Sequence, residues 1–191
     1  MKVDGLVLAG GRGSRMGGVD KGLQSLHDRP LVAHAIERLR PQVSRLMISA
    51  NRHLPEYRRF GLPVLSDADA GAFSGPLAGI AAGLAQCEGE WLMTIPCDCP
   101  LLPADLVARL LQAVQDCEAA VPSLADQIEP AFCLLRRTLL PSLQHYLAGG
   151  GRKVQDWLAA LQLARVPFDD ARAFVNANTP SELQMLEDAR P

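Results

Sequence analysis

Aromatic residues are scarce: five Phe, two Trp and two Tyr make up 5% of the 191 residues. That is too few for a platform on which single-stranded bases stack. A basic excess is also missing. Nineteen Lys and Arg stand against twenty-one Asp and Glu, a net charge of −2, so the electrostatic footprint of a nucleic-acid binder is not there. No apolar run is long enough to span a bilayer. The N-terminal one begins after Asp4 and stops at Gly10-Gly11-Arg12, too short for a signal h-region and without a cleavage site. Cysteine is limited to five residues, an odd number, with no second Cys pair or His pair to complete a zinc site around Cys97 and Cys99. Those two read as small buried hydrophobes. The four histidines (His27, His34, His53, His145) fall outside every motif, and no Ser-His-Asp arrangement or general base is evident. These absences point to a cytoplasmic protein in a reducing compartment, with no nucleic-acid and no membrane partner.

What remains is ordinary globular composition, 48% hydrophobic and 21% charged, suited to a single domain over 1–191. Short apolar runs at 5–9, 45–50, 63–65, 91–95, 119–122, 130–135 and 164–168 read as strands buried on both faces. Helical periodicity fills the intervals. Leu31, Val32, Ala35, Ile36 and Leu39 share a face, with Pro30 placed to start the helix. Further helices read at 77–86, 104–115, 138–147, 154–161 and 180–189. The alternation predicts an α/β, single-domain, Rossmann-like fold: a mostly parallel sheet flanked by helices. Ligands of such sheets sit beyond the carboxyl ends of the strands. The loops to examine are therefore the one after the first strand, 49–52, 66–76 and 96–100.

The first of these loops is the richest. Leu6-Val7-Leu8-Ala9 opens into Gly10-Gly11-Arg12-Gly13-Ser14-Arg15-Met16-Gly17-Gly18-Val19-Asp20-Lys21-Gly22. Glycine lets the backbone approach a ligand closely, and two arginines and a lysine supply charge for an anion such as a nucleoside triphosphate. The Walker loop would need Ser or Thr after Lys21, where Gly22 stands. The dinucleotide fingerprint would need Gly at position 16, where Met stands. A third kind of phosphate loop is required. Arg15 and Lys21 are its natural charge stabilisers, while Arg12, at the outer bend, reads as solvated. Asp20 is placed to pair with Lys21, an exposed pair of little energetic weight.

Asp98 lies in the stiff turn Pro96-Cys97-Asp98-Cys99-Pro100, directly after the strongest strand. A Mg²⁺ on a triphosphate needs only one or two protein carboxylates, and Asp98 suits that role; a turn-forming aspartate is the other reading. Asp67, with Asp69 as a rival, is placed for a base, a ribose or the metal, or else for an Asx turn. Gly75-Pro76-Leu77 begins a helix whose free N–H groups face anions. In Asn176-Ala177-Asn178-Thr179-Pro180-Ser181-Glu182, a capping box accounts for Thr179, Pro180 and Glu182 but not for the two asparagines. Their amides suit either a substrate's hydrogen-bonding edge or turn backbone. Arg152 and Lys153 follow Gly149-Gly150-Gly151 at a helix start, where the dipole disfavours cations, which hints at an anionic partner. The missing general base fits a phosphate nucleophile, largely a dianion at neutral pH.

Leu8-Ala9-Gly10-Gly11 with Arg15-Met16-Gly17-Gly18 and Asp20-Lys21 resembles the signature loop of nucleotidyltransferases of the glycosyltransferase-A-like fold. Together with Pro96-Cys97-Asp98-Cys99-Pro100, Gly75-Pro76-Leu77-Ala78-Gly79 and Asn176-Ala177-Asn178-Thr179-Pro180, it resembles the molybdenum cofactor guanylyltransferase family over almost the whole chain. The resemblance implies GTP and a molybdopterin (or Mo-molybdopterin) as substrates, Mg²⁺ as cofactor, and the guanine dinucleotide cofactor and pyrophosphate as products. It implies nucleotide contacts from Leu8, Ala9, Gly10, Gly11, Lys21, Asp67, Gly75 and Asp98, with Mg²⁺ also on Asp98. Arg15 would steady the triphosphate, and Asn176 and Asn178 would lie on the pterin side. A further family contact, an asparagine two places before Asn51, is here Ser49, so it falls to Ser49 or Asn51. The resemblance also implies a nucleotide-binding half over about 1–100, a pterin-side half over about 101–191, and protein partners that insert molybdopterin or accept the product. The rivals are the cytidylyltransferase for the same pterin, which resembles Ala-Ala-Gly in place of Ala9-Gly10-Gly11, other small nucleotidyltransferases, and a non-catalytic nucleotide-binding regulator.

Overall fold

The computed structural model describes residues 1–9, 20–66, 75–177 and 182. Gly10, Gly11, Arg15, Asp67, Asn178 and the helix expected at 180–189 thus lie outside the described residues, as does most of the glycine loop.

Strand β1 (Val3–Leu8) runs down the middle of an eight-stranded sheet. A two-residue hairpin follows, β2 (Ser25–Leu26) and β3 (Arg29–Pro30), turned by His27 and Asp28 at positive φ. Helix α1 (Leu31–Leu39) buries Leu31, Val32, Ala35 and Leu39, the stripe its periodicity predicts. Then come β4 (Arg45–Ser49), α2 (Leu54–Arg58), β5 (Val64–Leu65), α3 (Pro76–Gln86) and β6 (Trp91–Pro96). The strands β6, β1, β4 and β5 lie side by side and parallel. Their side chains alternate between two cores. Val7, Ile48, Met93 and Ile95 face one side with α1, and Leu6, Met47 and Leu92 face the other with α3. Helix α3 can lie close because an added Cβ at Gly79 or Gly83 would come within 2.5 Å of Ser49 Oγ or Leu6 Cδ2.

The second half contributes α4 (Leu106–Ala113), β7 (Ala119–Leu124), β8 (Gln127–Ile128), β9 (Cys133–Arg136), α5 (Leu140–Ala148), α6 (Val154–Leu158) and β10 (Leu163–Pro167). It extends the same sheet in the order β10-β7-β9-β6, so one sheet carries both halves. Here the sheet departs from a parallel pattern, since β9 is antiparallel to both neighbours. No crossover helix separates β7 from β9, only the short β8 hairpin, and such a return permits antiparallel pairing alone. The strand also starts later than the apolar run suggests. Pro130 has no N–H to give, and Phe132 N–H turns back to Glu129 C=O.

Arg152 has a structural task. Its guanidinium donates to Leu147 C=O (3.0 Å) and Gly151 C=O (2.6 Å), closing the end of α5. A cation belongs at that carbonyl end.

Near the amino end of β1, fully buried Asp4 accepts from Glu88 N–H (2.7 Å) and Gly89 N–H (3.0 Å), tying the turn before β6 to β1. Asp4→Ala would strand both donors. Urea unfolding should show a loss of about 3 kcal/mol, the scale for hydrogen bonds to a buried charge.

Candidate active site

The carboxyl ends of β1, β4 and β6 are laced by backbone hydrogen bonds. Ala9 N–H donates to Ser49 C=O (2.7 Å), Cys97 N–H to Leu8 C=O (3.1 Å) and Ala50 N–H to Leu65 C=O (2.9 Å). These bonds set Leu8 and Ala9 at the rim from which the glycine loop leaves. Ser49 is 3% exposed, its Oγ against Gly79 of α3, whereas Asn51, just past the strand, is exposed. Gly75 caps α3 at φ 97°, a conformation that favours glycine, and Pro76 follows as the first helical residue.

Asp98 stands at the tip of the turn after β6. It is 7% exposed, and its own C=O accepts Ala177 N–H at 2.9 Å. Burial pushes its carboxyl above the usual range, the Lys21 ammonium pulls it back down, and the Glu182 carboxylate pushes it up again. Lys21 Nζ lies 3.8 Å from Asp98 Oδ2. Two residues 77 positions apart, one opening the turn Lys21–Leu23 and one in the turn after β6, thus meet as a cation and a desolvated anion.

The residues fit a divalent cation. The buried Asp98 carboxylate already has positive charge beside it from Lys21, and the nearby Glu182 carboxylate adds to the negative charge there. An ion there would rely on water and phosphate oxygens for its other ligands, the habit of Mg²⁺.

A family model described as the MobA-like NTP transferase domain matches residues 5–166. The chain belongs to this family. It is 54% identical over 192 residues to the molybdenum cofactor guanylyltransferase of Cupriavidus taiwanensis, covering 97% of this chain and 96% of the relative. It is 49% identical over 190 residues to that of Bordetella petrii, with 96% of each covered. Among solved structures, molybdopterin-guanine dinucleotide biosynthesis protein A from Archaeoglobus fulgidus shares the fold at a TM-score of 0.80, with 23% identity and 97% of each chain covered.

In this MobA-like transferase Asn176 and Ala177 lie beside the Asp98 turn. Cys99 Sγ donates to Asn176 Oδ1 at 2.6 Å, so Asn176 sits one residue from the metal candidate. Cys97 and Cys99 are buried, and burial pushes both thiols up.

Sequence reasoning missed the partners of Asp20, beside Lys21. Asp20 is not an exposed partner of Lys21, for its side chain is 8% exposed and bonded elsewhere. Its Oδ1 accepts the Tyr57 hydroxyl (2.6 Å) and Gly22 N–H (3.2 Å), and its Oδ2 lies 3.0 Å from His53 Nδ1. His53 and Tyr57 therefore both stand beside the Lys21 turn. The signal was an aspartate at the cap of a turn, legible only for its bond to Gly22.

Proposed function

We propose that the chain transfers GMP from GTP to the terminal phosphate of a molybdopterin-type cofactor, forming the guanine dinucleotide cofactor and releasing pyrophosphate. The observation that carries this reading is the Lys21–Asp98 pair at the turn beyond the carboxyl end of β6, in a chain 54% identical to a molybdenum cofactor guanylyltransferase. The acceptor phosphate is already a nucleophile at neutral pH, so the protein has to position charges rather than remove a proton. Lys21 and Arg15 take up charge that builds on the leaving pyrophosphate. Asp98 holds Mg²⁺, which when bound neutralises phosphate oxygens.

Leu8, Ala9, Gly10, Gly11, Asp67 and Gly75 contact the nucleotide, the glycines by their backbone. Of Ser49 and Asn51, the exposed Asn51 takes the further nucleotide contact, because Ser49 is covered by α3. Asn176 and Asn178 orient the acceptor. The first half of the chain serves GTP and the second serves the pterin, the two meeting at Asp98. The setting is the cytoplasm, with a molybdopterin-inserting protein and an acceptor molybdoenzyme as partners, the latter receiving the product. Among the described residues, no helix is long and apolar enough to cross a membrane.

The test is pyrophosphate release with each of the four nucleoside triphosphates, with and without molybdopterin, before and after chelation of divalent metal. Release with GTP alone, dependent on molybdopterin and on Mg²⁺, is expected. Release with CTP alone would replace this reading with cytidylyl transfer, and release with no nucleotide would leave a regulator.

A further inference from the structure

Asp20 is the capping residue of the short turn Lys21–Leu23, so whatever holds its carboxylate also holds the backbone of Lys21. Three donors hold it: Gly22 N–H from the turn itself, and the Tyr57 hydroxyl and His53 Nδ1 from the segment after β4. Tyr57 lies on α2 and is fully buried, and burial pushes its phenol far up, which keeps it a neutral donor. Its hydroxyl also marks a junction. An added Cβ at Gly22 would lie 2.5 Å from the Tyr57 oxygen and 3.1 Å from Cys97 Sγ. The phenol thus stands where the turn that begins with Lys21 meets the turn that ends at Asp98. Asn51 is two residues before His53, so the exposed corner and the Lys21 turn are joined through one carboxylate.

We propose that Tyr57 is a positioning residue for the transfer: through Asp20 it fixes the Lys21–Gly22 backbone against the Cys97–Asp98 turn, and so sets the Lys21 ammonium beside Asp98. His53 supports the same carboxylate from its open side. The proposal rests on the reading of Lys21 as the group that takes up triphosphate charge. Tyr57 touches no substrate, and its effect passes through Lys21 alone.

Tyr57→Phe removes one oxygen and keeps the ring in the core. Turnover of GTP with molybdopterin should fall about tenfold, the scale of one charge-assisted hydrogen bond, with the acceptor KM unchanged. The same substitution is then made in Lys21→Ala, where residual transfer is followed at high enzyme concentration. No further loss is expected there, because a residue that acts through Lys21 has nothing left to position. An equal loss in both backgrounds marks a merely structural role and overturns the proposal while leaving the proposed function intact. Full turnover in Tyr57→Phe overturns it as well. Wild-type turnover in Lys21→Ala would instead remove the reading of Lys21, and the positioning role with it. Should Tyr57→Phe fail to fold, His53→Asn serves. The position is exposed at φ 51°, which asparagine tolerates, and a loss of about threefold is expected that again vanishes without Lys21.

Discussion

Replacing Asp98 by asparagine is expected to abolish Mg²⁺-dependent guanylyl transfer while leaving the protein folded. The two halves of this expectation have different physical origins. Asp98 is nearly buried, and burial is the largest influence on its carboxyl, pushing it up. A charge held against its own desolvation contributes little to stability, so a neutral amide of the same shape should be tolerated. Lys21 is 29% exposed and can turn its ammonium to water. The melting temperature should therefore hold or rise slightly. Function is different, since an amide offers a metal no charge and Asp98 is the carboxylate at the centre of the strand ends. A loss of about 10³-fold or more is expected, beyond the cost of one oxyanion-type donor, because metal and phosphate positioning fail together. Pyrophosphate release from GTP and molybdopterin checks the first half, and thermal unfolding the second. An Asp98→Asn variant with normal Mg²⁺-dependent turnover would remove Asp98 from the metal.

The parts of this molecule that were legible in its sequence are those written in short spans. Alternation of apolar runs and helical stripes located the β1, β4 and β6 strands, the α1 stripe and hence the edge where ligands gather. Asp98 and Lys21 were legible because each sits in a local motif, a double-proline turn and a glycine loop. The direction of β9 was not, since a strand buried on both faces looks the same whichever way it runs. The bonds of Arg152 were not legible for a related reason. The end of α5 and the start of α6 are separated by five residues, and only geometry shows which one the guanidinium reaches. The Asp20 cluster was out of reach altogether. Its partners His53 and Tyr57 lie 33 and 37 residues away, and a lone histidine or tyrosine carries no spacing to read.

Lys21→Ala should lower kcat by about 10²–10³, the scale for losing one preorganised charge stabiliser, with a smaller change in the KM for GTP. The split follows from where the ammonium stands. In the free protein Lys21 lies 3.8 Å from Asp98, so its charge is already engaged before nucleotide arrives. Binding of the ground-state triphosphate then exchanges one anionic partner for another and gains little. As the pyrophosphate separates, negative charge accumulates on the leaving oxygens, and the ammonium gains most at that moment. An interaction that strengthens only along the reaction lowers kcat when removed. Lys21→Arg should recover part of the rate, since the charge is kept but the planar guanidinium does not fill the place of a compact ammonium. Steady-state kinetics with GTP varied at saturating molybdopterin separates the two parameters. A variant whose kcat is unchanged and whose KM alone rises would show that Lys21 binds the nucleotide without favouring its transfer.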